Sequence, residues 1–370
     1  MHRYLPRPPA GRRLVSATAG LLTLAAATGL ASLTGCGSQI AGVAAQQTGS
    51  ITASGSHSTA RLASVSRVSS PSRLSGTPSS VRLSGTPSGV TGGALFGGSY
   101  PLVSQENALG RKLAIVRIYD FIGDSFPGPA KYQQLLAGGR TVVVSLDSKV
   151  SYASIAAGHE DGPINSFLKQ VNQAAIQYKL ASIYVTFEHE PDSVHHRVLG
   201  APVQFIQAWD HVHQLAVAAH LDWNDGGRLH WVLILIHNTY GSWRAPEFWP
   251  GNSEVDLVAA DGYNSAGCGH GGQHHQQTPS DTFGPVVKFA ASHGNLPVIL
   301  GEWGSDDIPS GEQATYINQM QAFVAQHKLI VGALYWDTHV GNCDYKVDGN
   351  AASISALAAM GKSAALQGHV

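Results

Sequence analysis

Residues 184–192, YVTFEHEPD, carry a buried-strand pattern straight into Glu188, His189 and Glu190, at the point where a strand should end. Residues 297–305, PVILGEWGS, repeat the arrangement, with a short apolar run delivering Glu302 into a loop that contains Gly and Trp. Working outward, similar apolar runs fall at 94–96, 113–119 (LAIVRIY), 141–146 (TVVVSL), 231–236 (WVLILI), 255–260 (VDLVAA) and 330–336 (IVGALYW). With 183–187 and 298–300 they make eight. None alternates with period two, as expected of parallel strands covered on both faces. Amphipathic segments lie between them at 163–178, 202–220, 281–293 and 311–327; in the second, Val203, Ile206, Trp209, Val212 and Leu215 recur every three positions. Eight strands with intervening helices predict a single (β/α)8 barrel of the α/β class. A doubly wound open sheet competes, but the strand count and the lack of a Gly-rich dinucleotide fingerprint disfavour it.

Of 370 residues, 43% are hydrophobic and 13% charged, with a net charge of -1, which leaves ample material for a large core. Near-neutrality without a basic block gives no electrostatic footprint for nucleic acid, so no such partner is expected. At the N-terminus, Arg3, Arg7, Arg12 and Arg13 precede an apolar and small-residue stretch over 14–33, followed by Thr34, Gly35 and Cys36. Residues 1–35 read as an export signal ending in a lipobox, with Cys36 as the expected lipidation site and hence a membrane anchor. An uncleaved anchor or a plain secretory signal are the alternatives; in each case the domain is extracytoplasmic, lipid-anchored or secreted. Residues 36–90 are rich in Ser, Gly, Thr and Ala, include the duplication RLSGTPSSV/RLSGTPSGV, and read as a disordered linker ahead of a 91–370 barrel domain. A monomer is expected. Apart from Cys36, the chain holds Cys268 and Cys343, a single pair that in an oxidising compartment favours a disulfide over two free thiols.

A barrel builds its site at the C-terminal ends of its strands. Seven of the eight runs end there in polar or aromatic residues: Tyr119-Asp120, Asp147, Glu188-His189-Glu190, His237-Asn238, Asp261-Gly262-Tyr263-Asn264, Glu302-Trp303 and Trp336-Asp337. Glycoside hydrolysis needs two carboxyl groups, one protonated to donate to the leaving oxygen and one ionised to attack or to activate water. Strands four and seven, across the mouth from each other, supply such a pair, and the chemistry calls for no cofactor. Strand geometry continued past Phe187 would put Glu188 and Glu190 on the same side, so the residues alone leave open which of them faces Glu302. Flat aromatics suit sugar faces; Tyr240, Trp243, Trp249, Tyr263, Trp303 and Trp336 fall in the expected top-face loops, whereas Trp209 is expected in the core. His270, His274 and His275, in GCGHGGQHH, form one metal-like cluster, but a Gly-rich loop is a poor frame for ligands and no metal is expected. A Cys268–Cys343 bridge would tie this loop over the mouth to the loop after the eighth strand.

The His189-Glu190 pair, Glu302 in LGEWG and the Asp261-Gly262-Tyr263 triplet resemble glycoside hydrolase family 26, a member of the clan of retaining (β/α)8 glycoside hydrolases. The resemblance spans residues 94–345. It implies Glu190 as acid/base and Glu302 as nucleophile, with Tyr263 contacting Glu302 and Trp336 forming an aromatic floor. His189, Asp261, Trp303, Asn238 and Tyr119 are further expected substrate contacts. It also implies endo hydrolysis of a β-linked polysaccharide of mannan, β-glucan or xylan type, with retention of configuration. Pro191-Asp192 departs from the mannanase pattern and no Trp-rich segment follows, so the substrate stays open. The alternative is a cell-surface glycan-binding lipoprotein without turnover.

Overall fold

The computed structural model describes residues 89–180 and 183–370, so the signal segment, Cys36 and nearly all of the linker lie outside the described residues. Eight parallel strands form the barrel: β1 (Leu95–Gly98), β2 (Ile115–Phe121), β3 (Thr141–Asp147), β4 (Ile183–Phe187), β5 (Leu229–Ile236), β6 (Leu257–Asn264), β7 (Val298–Ser305) and β8 (Ile330–Tyr335). Each pairs with the next, and β8 pairs with β1 from Leu95↔Gly332 to Gly98↔Tyr335, closing the sheet. The expected (β/α)8 barrel is therefore the observed fold. A strand at Leu366–His369 runs antiparallel to β1 and pairs with Thr91–Gly93; the apolar runs gave no sign of it.

Longer helices follow six strands: α1 (Ala130–Ala137), α2 (Asp161–Gln177), α3 (Pro202–Ala218), α4 (Pro279–Ser292), α5 (Glu312–Gln326) and α6 (Ala351–Lys362). After β1 and β5 the chain makes only helical segments of four or five residues. Helix α4 begins where its sequence prescribes: Pro279 occupies the first turn, and Thr278 and Asp281 cap each other's backbone N–H groups. Helix α3 turns inward a face that shares Trp209 and Val212 with the sequence reading, with Ile206 and Leu215 partly buried at its edge. It buries Phe205, Ala208, Trp209, Val212 and Ala216, and Val203 is 60% exposed. A strict three-residue repeat drifts around a 3.6-residue helix; the i, i+3, i+4, i+7 set from Phe205 does not. No helix among the described residues is long and apolar enough to cross a membrane.

Two apolar layers result. Leu95, Ile115, Val143, Tyr184, Val232, Ile234, Leu257, Ala259, Ile299 and Leu334 fill the barrel interior. The larger layer lies between sheet and helices and includes Trp209, as expected. Packed side chains thus plug the lower barrel, and the polar residues above them form the mouth.

Candidate active site

The interior column on β2 continues upward from Ile115 to Arg117 and Tyr119, because alternate residues of a strand share a face. Arg117 is 2% exposed and holds Asp261 of β6 with Nη1, at 3.1 Å and 2.9 Å from its two oxygens. The same nitrogen lies 3.1 Å from Glu302 Oε1, while Nε donates to Ser145 Oγ at 3.0 Å. Glu302 also accepts from Tyr119 OH at 2.5 Å on Oε1 and from Tyr263 OH on Oε2. Three donors from β2 and β6 therefore converge on one carboxylate of β7.

Glu302 reaches the interior because of a β-bulge. Ala260 of β6 pairs with Leu300, yet Asp261 pairs with Glu302, so Gly301 is an extra residue on β7. Ile299 faces inward, and unbroken alternation would turn Glu302 toward the helices and Trp303 into the mouth. The bulge reverses both. A Cβ on residue 301 would stand 2.4 Å from Asp261 Oδ1, so the bulge tolerates only glycine. Trp303 is fully buried outside the barrel, its ring 4.8 Å from Tyr335, so the expected substrate contact by Trp303 is not formed.

β4 ends at Phe187, and both Glu188 and Glu190 adopt left-handed backbone, with φ of 53° and 50°. Each such non-glycine residue costs on the order of 1–3 kcal/mol and persists only where surroundings impose it. The expectation that the two glutamates share a side fails here, since strand geometry does not continue past Phe187. Glu188 is fully buried and accepts from the backbone N–H of Ser148. Glu190 instead turns to the mouth: one oxygen from each of Glu190, Asp261 and Glu302 lies within 4.8 Å of the others. His189 Nδ1 is 2.9 Å from Asp147 Oδ1, and its ring meets Tyr119 edge-on at 5.4 Å, while Trp336 also meets Tyr119 edge-on, at 5.8 Å.

Burial and like charge raise the carboxyls that face Glu302. Burial, then the charges of Asp261 and Glu302, push Glu190 well above the usual carboxylate range. Burial and Glu302 likewise raise Asp261, against the pull of Arg117, to about 7. Burial opposes the charge on Arg117, but Asp261, Tyr119 and Glu302 more than offset it. Burial also works against His189, yet Asp147 raises it to about 9.

Cys268 and Cys343 are bridged, with Cα atoms 5.2 Å apart, as the cysteine count led one to expect. The bridge ties the loop after β6 to the loop after β8, where Tyr345 stacks on Tyr263 at 4.8 Å and 17° and shares a 2.6 Å hydrogen bond with Ser265. The donor Tyr263 is thereby braced from behind. His274 and His275 of the same loop are exposed.

The structure thus brings Glu190, Glu302, His189, Asp261, Tyr263, Tyr119 and Trp336 together, and leaves Asn238 exposed on the five-residue helix after β5. Tyr240 points into the outer layer and donates to Ala259 O at 3.0 Å, Trp249 packs on Phe289 of α4, and Trp243 is 77% exposed; these three take no part in the cluster. Arg117 escaped the sequence reading. A cation in the middle of the apolar run LAIVRIY was the available signal, since such a residue stays buried only when paired.

The fold and site define a (β/α)8 barrel with a paired-carboxylate mouth. Among solved structures it is similar to three family 26 enzymes of the glycoside hydrolases. One is the catalytic domain of an endo-β-1,4-mannanase from Bacillus sp. JAMB-750, with a TM-score of 0.52 and 13% identity over 74% of this chain and 86% of that one. A β-mannanase from Bacteroides ovatus gives a TM-score of 0.53 and 11% identity over 74% and 89%. A modular endo-β-1,4-mannanase from Cellulomonas fimi gives 0.52 and 15% over 75% and 74%. At these identities the likeness concerns the fold. No family model matches the sequence, and no curated protein matches it.

Proposed function

We propose that this chain is a glycoside hydrolase that cleaves a β-linked polysaccharide with retention of configuration, and that β-mannan is its substrate class. The observation that carries the reading is the pair Glu190 and Glu302, whose nearest oxygens are within 4.8 Å and of which Glu302 is held by three donors. A retaining pair stands about 5–5.5 Å apart, whereas an inverting pair is wider, at about 6.5–9.5 Å, to admit a water. Environments that push two carboxyls apart in proton affinity assign the acid and the nucleophile. Three donors stabilise Glu302 as the carboxylate, and Glu190, among like charges, holds its proton.

In the first step a Glu302 oxygen forms a bond to the anomeric carbon as the carbon–oxygen bond to the leaving sugar breaks. Glu190 gives its proton to the departing oxygen. In the second step Glu190, now ionised, takes a proton from water, whose oxygen replaces Glu302 at the anomeric carbon. Trp336 and Tyr119 offer aromatic surface beside this point, and His189, held by Asp147, offers a donor from Nε2. The mannan assignment rests on the fold likeness to endo-β-1,4-mannanases. Export and a lipid anchor on Cys36 belong to the same proposal and place the barrel where polysaccharide is met. The test is hydrolysis of β-mannan, β-glucan and xylan by the protein, with the anomer formed first followed by NMR. Release of β-configured ends from mannan is the expected result; initial α-configured ends would remove the retaining assignment, and no turnover on any of the three would remove the enzyme.

A further inference from the structure

We infer that His196 is a positioning residue for Glu190, and that Glu188 holds His196 in the tautomer this requires; the inference rests on the reading of Glu190 as the acid. His196 lies in the turn His196–Val198, six residues beyond Glu190, and its Nδ1 is 2.8 Å from the Glu190 carbonyl oxygen. A carbonyl can only accept, so Nδ1 carries the proton, although Ser193 Oγ also lies 3.3 Å away. Ser193 N–H donates to the same carbonyl at 2.9 Å, and Glu190 N–H donates to Ile234 O of β5 at 3.0 Å. These contacts fix the peptide planes on both sides of a residue held at φ 50°. The left-handed turn aims Glu190 at Glu302, and without it the side chain would follow another path.

Nδ1–H leaves the other ring nitrogen as an acceptor when the imidazole is neutral. That nitrogen, Nε2, faces Glu188 Oε2 at 3.6 Å. Glu188 is fully enclosed; its Oε1 is taken by Ser148 N–H, and Oε2 has no hydrogen-bond partner among the described residues. A buried carboxylate opposite a bare ring nitrogen repels it, so the pair must hold one proton between them, on Oε2 or on Nε2. Either placement leaves Nδ1–H pointing at Glu190. Asp147 and Ser148 from the end of β3, Tyr152 from the helix Tyr152–Ala156, and His189 from the same turn are polar groups around Glu188, and Asp192 faces Tyr152. Burial and Asp147 raise the Glu188 carboxyl to about 8, and burial lowers His196, so at neutral pH the shared proton sits on Glu188. The His196 ring also meets the His189 ring edge-on at 5.9 Å.

A residue that acts by aiming the acid matters only where the leaving group needs a proton. The experiment compares β-1,4-mannooligosaccharide, whose leaving sugar needs one, with a 2,4-dinitrophenyl glycoside, whose leaving group does not, and reads the first step of the latter as the burst of dinitrophenolate. For Glu190→Ala the expected result is a large loss of kcat on oligosaccharide with the burst rate preserved. His196→Ala is expected to show the same split, with kcat on oligosaccharide lower by about 10- to 100-fold, as for a small displacement of a catalytic group. Its KM should stay within about twofold, since binding is not what the clamp serves. His196→Asn, whose amide can donate to the Glu190 carbonyl, should recover most of the loss, and Glu188→Gln should exceed Glu188→Leu because its amide can donate to Nε2. An equal loss on both substrates, or none, in His196→Ala while Glu190→Ala shows the split would overturn the positioning role. Should His196→Ala not fold, the ranking of Glu188→Gln over Glu188→Leu on oligosaccharide alone decides it. Absence of the split in Glu190→Ala itself would instead remove the acid assignment beneath it.

Discussion

The two ends of the barrel handle charge in opposite ways. At the C-terminal mouth, Glu190, Asp261 and Glu302 crowd within 4.8 Å of one another, and Arg117 engages the last two. Near the N-terminal end, His213 of α3 lies between two carboxylates, 3.3 Å from Asp222 and in direct contact with Glu254. Asp222 also accepts from the Trp231 indole at 3.0 Å and from Asn224 N–H at 2.8 Å. The floor sets a histidine between its two carboxylates, whereas the mouth sets three carboxyl groups against one another in a buried place. Barrels keep chemistry at the first end and structure at the second, and here the division can be read from what faces each carboxylate, a histidine at the floor and other carboxyls at the mouth.

The largest test of that division pairs one substitution from each end. Under the proposed mechanism Glu302→Gln removes the attacking oxygen, and kcat on mannan should fall by about 10^4- to 10^6-fold. Its unfolding free energy should hold or rise, because a like charge leaves the cluster. Asp222→Asn should do the reverse: kcat unchanged within about twofold, and stability lower by about 1–3 kcal/mol in urea unfolding, as donors around it lose a charged acceptor. A comparable loss of activity in Asp222→Asn would erase the distinction between the ends.

A smaller effect sharpens it from within the mouth. Arg117→Met leaves Asp261 and Glu302 buried without their shared cation, and breaking such a pair from one side costs about 3–5 kcal/mol. The penalty should shrink as pH falls from 8 to 5, since the stranded carboxylates can then take up protons. Urea unfolding at both pH values measures it; a penalty equal at the two would show that packing of the Arg stem, rather than its charge, holds the site together.

Arg117 also marks what the sequence could disclose. Eight apolar runs and their polar ends are local properties, so the barrel and the placing of Glu302, Asp261 and Tyr263 at its mouth were legible, whereas the family resemblance alone picks Glu190 over Glu188. The direction a side chain takes was not legible. Trp303 and Glu302 exchange sides through one inserted residue, Gly301, and such a bulge shows only when neighbouring strands are in register. Glu188 and Glu190 part company through two left-handed residues that no propensity favours; His196, Asp192 and the end of β5 impose them. Asp192, part of the departure from the mannanase pattern, proves to fasten this turn by accepting from Ile236 N–H at 3.1 Å. Long-range partners such as Tyr345 behind Tyr263 left no local trace at all.

The smallest effect expected belongs to the floor and depends on pH. Burial opposes a charge on His213, but its hydrogen bonds to Asp222 and Glu254 and their charges raise it to about 9. A group whose pKa is higher in the folded than in the unfolded protein binds its proton more tightly when folded. It therefore stabilises the fold fully below the unfolded value of about 6.5, and the benefit is lost as pH rises through about 9. With the His213 side chain 11% exposed, the shift corresponds to at most about 3 kcal/mol. The difference in unfolding free energy between the unsubstituted protein and His213→Gln should be greatest at pH 6, smaller at pH 8 and gone by pH 10, with kcat unaffected at a given pH. A difference that does not change with pH would mean that the ring matters for its edge-on contact with Trp231, at 5.3 Å, and not for its charge. Loss of the pH dependence would also remove the contrast between the ends, because the floor would then hold Asp222 and Glu254 without a cation between them.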